Sequence, residues 1–466
     1  MRHLILALLG TPLTIWILAS SYITVFDTPD VTLARRLLAV FLSATALRTN
    51  AFLLRSHAFA SRARSLGCGQ VPMAPYKDPI LGLDGFWEAI RALQQFRFMD
   101  YYHDRFRHFG QTHYSLALGR KVLMTNSSEN IKTILATNMD DWPIEGPRLH
   151  AVLPVLGPRS IFSSNGADWH DARSMIRPSF VRDQVADLRC FDRHIRNLLA
   201  AVPADGSTFD IQDLLLKMTM DSSTDFMLGY STNSLVRASP EAAQFLRDFE
   251  YASAECTRKA RLGPILFHIP HRKLSKAIAS LRGYVRFYLC KAVAEKEKET
   301  QGGETADRSY VFLDELLKAG APEEHVVDQI LSIIVAGRDT TAAAMSAAFY
   351  CLGRSPEAVR KLRKEISDLD YEGDHPTWEQ LRQMKYLNNV IREALRLFPP
   401  VSTNSRAASR ETVLPRGGGP DGSMPVLVPK DTPVRWSLYS LHRQKDVFGE
   451  DADAFRPERW EDLRVG

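Results

Sequence analysis

The chain has 466 residues, 45% hydrophobic and 24% charged, which allows a sizeable core and excludes a disordered, collagen-like or multi-span membrane protein. A formal net charge of +5, with no basic stripe carrying interleaved aromatics, gives no support for nucleic-acid binding. Cys68, Cys190, Cys256, Cys290 and Cys351 stand singly without a C-x-x-C pair, which excludes a disulfide scaffold and a four-cysteine metal centre.

In chain order, the first expected element is a membrane anchor. Leu4 to Phe26 carries no charge. At ~1.5 Å per residue it reaches across a hydrocarbon layer about 30 Å thick. Arg2 precedes it, whereas Arg35, Arg36, Arg48, Arg55, Arg62 and Arg64 follow, and this bias places the bulk of the chain in the cytosol. A cleaved signal peptide is the rival reading, against which stands a stretch longer than the usual ~7–15 apolar residues. Leu37 to Leu47 is too short to span easily. Pro72, Pro75 and Pro79 form a proline-spaced hinge. The expected division is an anchor over 1–35, an interfacial segment and hinge over 36–84, and one main domain over 85–466.

That domain reads as α+β, mostly α, with strand-like runs at Gln111–Thr125 and Val413–Ser440. The longest helix is expected to begin at Pro322, with Glu323 and Glu324 near its positive end, and to stop at Gly353. Val326, Val327, Ile330, Leu331, Ile333 and Ile334 make it apolar on most faces, so it belongs in the centre of the fold. Inside it lies Ala336-Gly337-Arg338-Asp339-Thr340-Thr341. Gly337 lets a neighbour approach, the threonines can bond back to carbonyls, and an acid beside a hydroxyl can relay protons. A packing glycine with a capped aspartate is the plain alternative.

A later helix begins with the capping box Thr377-Trp378-Glu379-Gln380, runs through Leu395 and stops at Pro399-Pro400. Glu393 and Arg396 share one face, and a buried pair needs further partners to offset desolvation. Arg459, within Phe455-Arg456-Pro457-Glu458-Arg459-Trp460, can supply one.

The ordered set W-x-x-x-R (Trp169, Arg173), A-G-x-D-T-T (336–341), E-x-x-R (Glu393, Arg396) and F-x-P-E-R-W (455–460) resembles the cytochrome P450 family of haem-thiolate monooxygenases. The glycine-rich stretch Leu414–Gly422, Val428-Pro429-Lys430, and Arg177-Pro178-x-Phe180 are most similar to its fungal alkane- and fatty-acid-hydroxylating branch. The resemblance implies a cytochrome P450 fold and haem as cofactor. Trp169, Arg173 and Arg406 would bind haem propionates, and Asp339 with Thr340 would deliver protons. Ala336 and Gly337 would form the oxygen and substrate groove, and Glu393, Arg396 and Arg459 a structural triad. Asp141–Ser160 and Ser402–Asn404 would line the substrate cavity. Electrons would come from NADPH through NADPH–cytochrome P450 reductase, and the protein would sit as a single-pass protein in the endoplasmic reticulum membrane with a cytosolic catalytic domain.

The family's F-x-x-G-x-R-x-C-x-G ligand segment does not occur before Gly466, so the implied axial cysteine lies beyond this chain and no metal ligand is expected within it. As given, the chain is expected not to hold haem through a thiolate. Three readings of function stay open: hydroxylation of a lipophilic alkyl chain, tailoring of a polyketide-type fungal metabolite, and a haem-free remnant.

Overall fold

Helical apolar repeats fill most of the chain, and the strands among the described residues are short and fall within Thr112–Thr125 and Thr403–Ser437. A computed structural model of the protein describes residues 33–144, 146–180, 188–262, 269–300, 312–318, 320–371 and 375–462. In chain order come α1 (Leu33–Ser65), α2 (Leu83–Gln94), α3 (Phe98–Phe109), β1 (Thr112–Ala117), β2 (Arg120–Thr125), α4 (Ser128–Lys132), α5 (Pro147–Leu156) and α6 (Gly166–Ile176). Then follow α7 (Arg189–Ala201), α8 (Ile211–Leu228), α9 (Pro240–Leu262), α10 (Arg272–Thr300), α11 (Phe312–Lys318) and α12 (Glu323–Leu352). The last part holds α13 (Pro356–Ser367), α14 (Trp378–Gln383), α15 (Lys385–Leu397), β3 (Thr403–Ala407), β4 (Thr412–Gly418), β5 (Met424–Val428), β6 (Pro433–Ser437) and short helices α16 (Leu438–Leu441), α17 (Lys445–Phe448) and α18 (Arg459–Asp462).

The expected single-pass membrane localisation, with its membrane partner, is corrected here. Among the described residues no helix is long and apolar enough to cross a membrane. The physical reason lies in α1: Arg48 and Arg55 interrupt its apolar residues, and charge at the centre of a bilayer is expensive. Leu4–Phe26 lies outside the described residues. The proline-spaced segment after α1 is pinned to the domain, with Tyr114 N donating to Pro72 O (2.8 Å) and Ala74 N to Tyr114 O (2.9 Å).

Four strands form a mixed sheet in the order β1-β2-β6-β3. β1 and β2 make an antiparallel hairpin, β2 runs parallel to β6, and β3 runs antiparallel to β6. The sequence reading did not include β3. The glycine-rich stretch folds as the separate antiparallel hairpin β4–β5. There Gly417 takes φ +116, and a Cβ on it would meet Thr112 Cγ2 at 2.4 Å, so both the backbone conformation and the packing require glycine.

α12 has the expected ends, with Pro322 before its first residue and Gly353 after its last. Every residue from Val326 to Ile334 is buried. Its apolar face packs with Met220, Phe226 and Leu228 of α8, Phe245 and Phe249 of α9 and Leu281 and Val285 of α10 in the main core. The later helix differs from expectation. The capping box forms, but the chain breaks at Met384 (φ −67, ψ 94) and restarts as α15. The carboxylate of Glu365 on α13 accepts from Tyr386 N and Leu387 N, both at 2.8 Å, and so caps the new helix.

Candidate active site

Along α12, burial relaxes after Ile334, and Ala336, Gly337, Asp339 and Thr340 are all half-buried. The Thr340 hydroxyl donates to Ala336 O, the i−4 bond that lets a β-branched polar residue sit inside a helix. Asp339 Oδ1 accepts from Arg338 Nη1 at 2.9 Å. Arg338 is buried; its Nη2 donates to Glu250 Oε1 of α9 at 3.0 Å, and its guanidinium lies 5.3 Å from the Phe249 ring centroid. What approaches Gly337 is α8: a Cβ there would stand 3.0 Å from Ser223 Oγ.

Glu393, Arg396 and Arg459 meet in one buried cluster, at 0%, 2% and 2% exposure. Arg396 grips Glu393 with two parallel bonds, Nε to Oε2 at 2.9 Å and Nη2 to Oε1 at 2.8 Å. Its remaining donors reach His442 O (2.8 Å), Ala452 O (2.5 Å) and Ala454 O (3.1 Å). Glu393 also accepts from Arg459 Nε (3.3 Å), Arg456 N (3.0 Å) and Trp460 Nε1 (3.0 Å). Arg459 donates further to Asp451 Oδ1 and Asp451 O, each at 2.9 Å, and to Phe448 O. Burial raises the pKa of Glu393, but the bonds from Arg396 and from the Arg456 N–H outweigh it and hold the carboxyl below its ordinary value.

Trp169 and Arg173 lie one turn apart on α6, with the guanidinium 5.3 Å from the indole centroid. Trp169 is half-buried and Arg173 exposed. Arg406, on β3, is half-buried and donates to Asn404 Oδ1 (3.2 Å) and Ser405 O (2.9 Å). Burial, with the like charge of Arg148 beside it, pushes its pKa down to about 10, still charged at neutral pH. Arg148 Nη1 donates to the same Asn404 Oδ1. Both flank a cavity of about 360 Å³ whose lining includes Gly146, Thr403 and Asn404.

Two groups of polar residues escaped the sequence reading. Arg148 is one: it lies in the Asp141–Ser160 segment but belongs to no motif. The other joins α7 to α8, where Asp225 Oδ2 accepts from His194 Nε2 (3.0 Å), Cys190 Sγ (3.2 Å) and Arg193 Nη2. The Cys-x-x-x-His spacing on one helix face was the available signal. Burial raises the pKa of Asp225, and these bonds more than offset that to leave it lowered. Arg193, on the exposed side, shares that carboxylate oxygen with His194 and Cys190.

The sequence model of the family Cytochrome P450 matches residues 83–465. The chain therefore belongs to the cytochrome P450 family, the haem-dependent monooxygenases. It is 40% identical over 425 residues to cytochrome P450 monooxygenase himC of Aspergillus japonicus, covering 89% of this chain and 76% of that protein. To cytochrome P450 monooxygenase fsdH of Fusarium heterosporum it is 40% identical over 402 residues, covering 84% and 70%. To cytochrome P450 52A13 of Debaryomyces hansenii it is 38% identical over 366 residues, covering 74% and 69%.

Proposed function

We propose that this monooxygenase hydroxylates a lipophilic alkyl-chain substrate, of the alkane or fatty-acid kind, with dioxygen and NADPH-derived electrons passed on by NADPH–cytochrome P450 reductase. The observation that carries this reading is the glycine-rich hairpin β4–β5, which is folded as a unit against the domain: Gly69 N donates to Pro425 O (2.8 Å) and Gly419 N to Gln70 O (3.0 Å).

The donor set divides over the haem that the family implies. Arg406 fits a propionate, because its half-buried guanidinium meets only neutral acceptors among the described residues. The five cysteines do not fit an axial thiolate. Burial pushes the thiols of Cys68, Cys256 and Cys351 up, Cys190 donates to Asp225, and Cys290 is exposed on α10. Haem, when bound, supplies the oxidising chemistry, and the chain supplies orientation and protons.

In this reading Trp169, Arg173 and Arg406 hold propionates. The half-exposed Asp339 carboxylate, steadied by Arg338, exchanges protons with solvent, and the Thr340 hydroxyl passes them across one helical residue. Ala336 leaves the helix surface low beside that hydroxyl, whereas Gly337, expected in the same groove, is packed against Ser223 of α8. The Glu393–Arg396–Arg459 cluster positions the chain after β6 and takes no part in chemistry.

The test supplies the chain, completed through the family's cysteine-ligand segment, with haem, reductase and NADPH, and offers dodecanoate and dodecane. Addition of one oxygen atom to either, read by mass spectrometry, is the expected result. Product from neither, with haem taken up, overturns the alkyl-chain reading.

A further inference from the structure

Away from the candidate active site, one group of metal-ligating side chains converges among the described residues. Cys190 and His194 stand four residues apart on α7 and so share one helix face. Asp225 of α8 meets them with a single oxygen: Oδ2 lies 3.0 Å from His194 Nε2 and 3.2 Å from Cys190 Sγ. The ligand atoms of all three lie within 4.8 Å of one another. A tetrahedral zinc ion, with bonds of ~2.0–2.1 Å to oxygen and nitrogen and ~2.3 Å to sulfur, separates its ligand atoms by about 3.3–3.6 Å. Small side-chain rotations therefore bring the oxygen, nitrogen and sulfur onto the coordination sphere of one ion. A purely hydrogen-bonded clasp accounts for the thiol less well. A thiol is a weak donor and adds little to holding a carboxylate, whereas a thiolate is a strong zinc ligand. Arg193 supplies the present counter-charge to Asp225, and its side chain is 60% exposed, so it can turn out into solvent.

We propose that Cys190, His194 and Asp225 form a zinc site that clasps α7 to α8, with the fourth position open to water on the side where Arg193 lies. One thiolate, one imidazole and one carboxylate suit Zn²⁺, whereas Mg²⁺ and Ca²⁺ take oxygen ligands. Binding replaces the proton on Cys190 Sγ, which leaves to solvent. The ring proton of His194 passes from Nε2 to Nδ1, which is buried without a hydrogen-bond partner among the described residues. One proton is thus released for each ion bound, and nothing is oxidised or reduced. The charges of the ion, the thiolate and the carboxylate cancel, so Arg193 is no longer held. The ion fixes the segment of α8 that carries Ser223, two residues before Asp225, against Gly337 of α12. The site depends neither on haem nor on the alkyl-chain reading.

The experiment takes the full chain, stripped with a chelator and kept reduced with a phosphine. It is titrated with Zn²⁺ against a chromophoric chelator, and with Co²⁺ by absorbance. Expected are one high-affinity Zn²⁺ per chain and, with Co²⁺, a sulfur-to-cobalt charge-transfer band beside the visible bands of a tetrahedral ion. Cys190→Ser should abolish that band and lower zinc affinity by at least about a hundredfold, beyond the ~10–100-fold typical of changes outside the ligand set. Cys290→Ser, at an exposed position on α10, should alter neither. Arg193→Gln removes the competing cation and should tighten zinc binding about twofold to fivefold, the worth of a partly exposed ion pair. Circular dichroism checks that each variant is folded. A readout on the wild type needs no variant: Zn²⁺ should slow alkylation of Cys190 but not of Cys290, read by peptide mass spectrometry. Equal alkylation of Cys190 with and without zinc overturns the proposal. So does a wild type without the charge-transfer band, a band that survives Cys190→Ser, or equal or weaker zinc binding in Arg193→Gln.

Discussion

Arg396 and Arg459 are 2% exposed and share the carboxylate of Glu393, whereas the half-buried Arg148 and Arg406 share only the amide oxygen of Asn404. In the first group every charge has a counter-charge, and the spare donors end on backbone carbonyls from His442 to Ala454. Such a cluster is complete in itself and fixes chain geometry. In the second group no counter-charge comes from the described residues, and the walls border a cavity. The difference separates an arginine placed to hold the fold from one placed to hold something else.

The comparison breaks most sharply at Glu393. Glu393→Gln leaves two buried guanidiniums without their shared carboxylate and should destabilise by about 3–5 kcal/mol, read as a fall in the urea midpoint or as loss of soluble protein. Unchanged stability would mean that the cluster is not held by charge. Asp328→Asn tests a buried pair of intermediate completeness. Asp328 is 1% exposed and accepts from Arg282 Nη2 (2.7 Å) and Arg159 N (3.1 Å), but Arg282 keeps Glu324 as a second partner. A loss of about 1–3 kcal/mol is expected by the same measurement.

Acid titration sharpens the contrast further. The carboxyl of Glu393 is held below its ordinary value of 4.5. Its folded-state pKa is therefore the lower one, and as pH falls the unfolded chain takes up the proton first. The stability it contributes is complete above the unfolded value and is lost as pH drops through the folded one. Acid-unfolding curves for the wild type should show this loss below about pH 4.5, and the corresponding step should be missing in Glu393→Gln. The smallest effect is expected at the other group. Arg148→Gln removes a repulsion and, among the described residues, no ion pair, so its urea midpoint should stay within about 0.5 kcal/mol of the wild type, on the stabilising side. A loss as large as that at Glu393 would make Arg148 a structural residue.

Local signals in the sequence determined a good deal. Pro322 and Gly353 bracket α12, the Thr377–Gln380 capping box forms, and the glycine-rich run becomes a hairpin, because each depends on backbone chemistry a few residues long. The spacing of Glu393 and Arg396 put both on one helix face for the same reason. Tertiary structure decided the rest. The break at Met384 depends on Glu365, a side chain of another helix, supplying acceptors to a new amino end. β3 exists because β6 offers it a pairing edge, and its own Thr-Asn-Ser-Arg-Ala sequence carries little apolar alternation. The completeness of the Glu393 cluster rests on carbonyls dozens of residues away along the chain. Of the arginine-lined cavity the sequence offered Arg406 and the segments Asp141–Ser160 and Ser402–Asn404, but not Arg148, which has no motif of its own. Its meaning comes from which charges the fold brings beside it and which it leaves out, and charge interactions follow distance in space, not position in sequence.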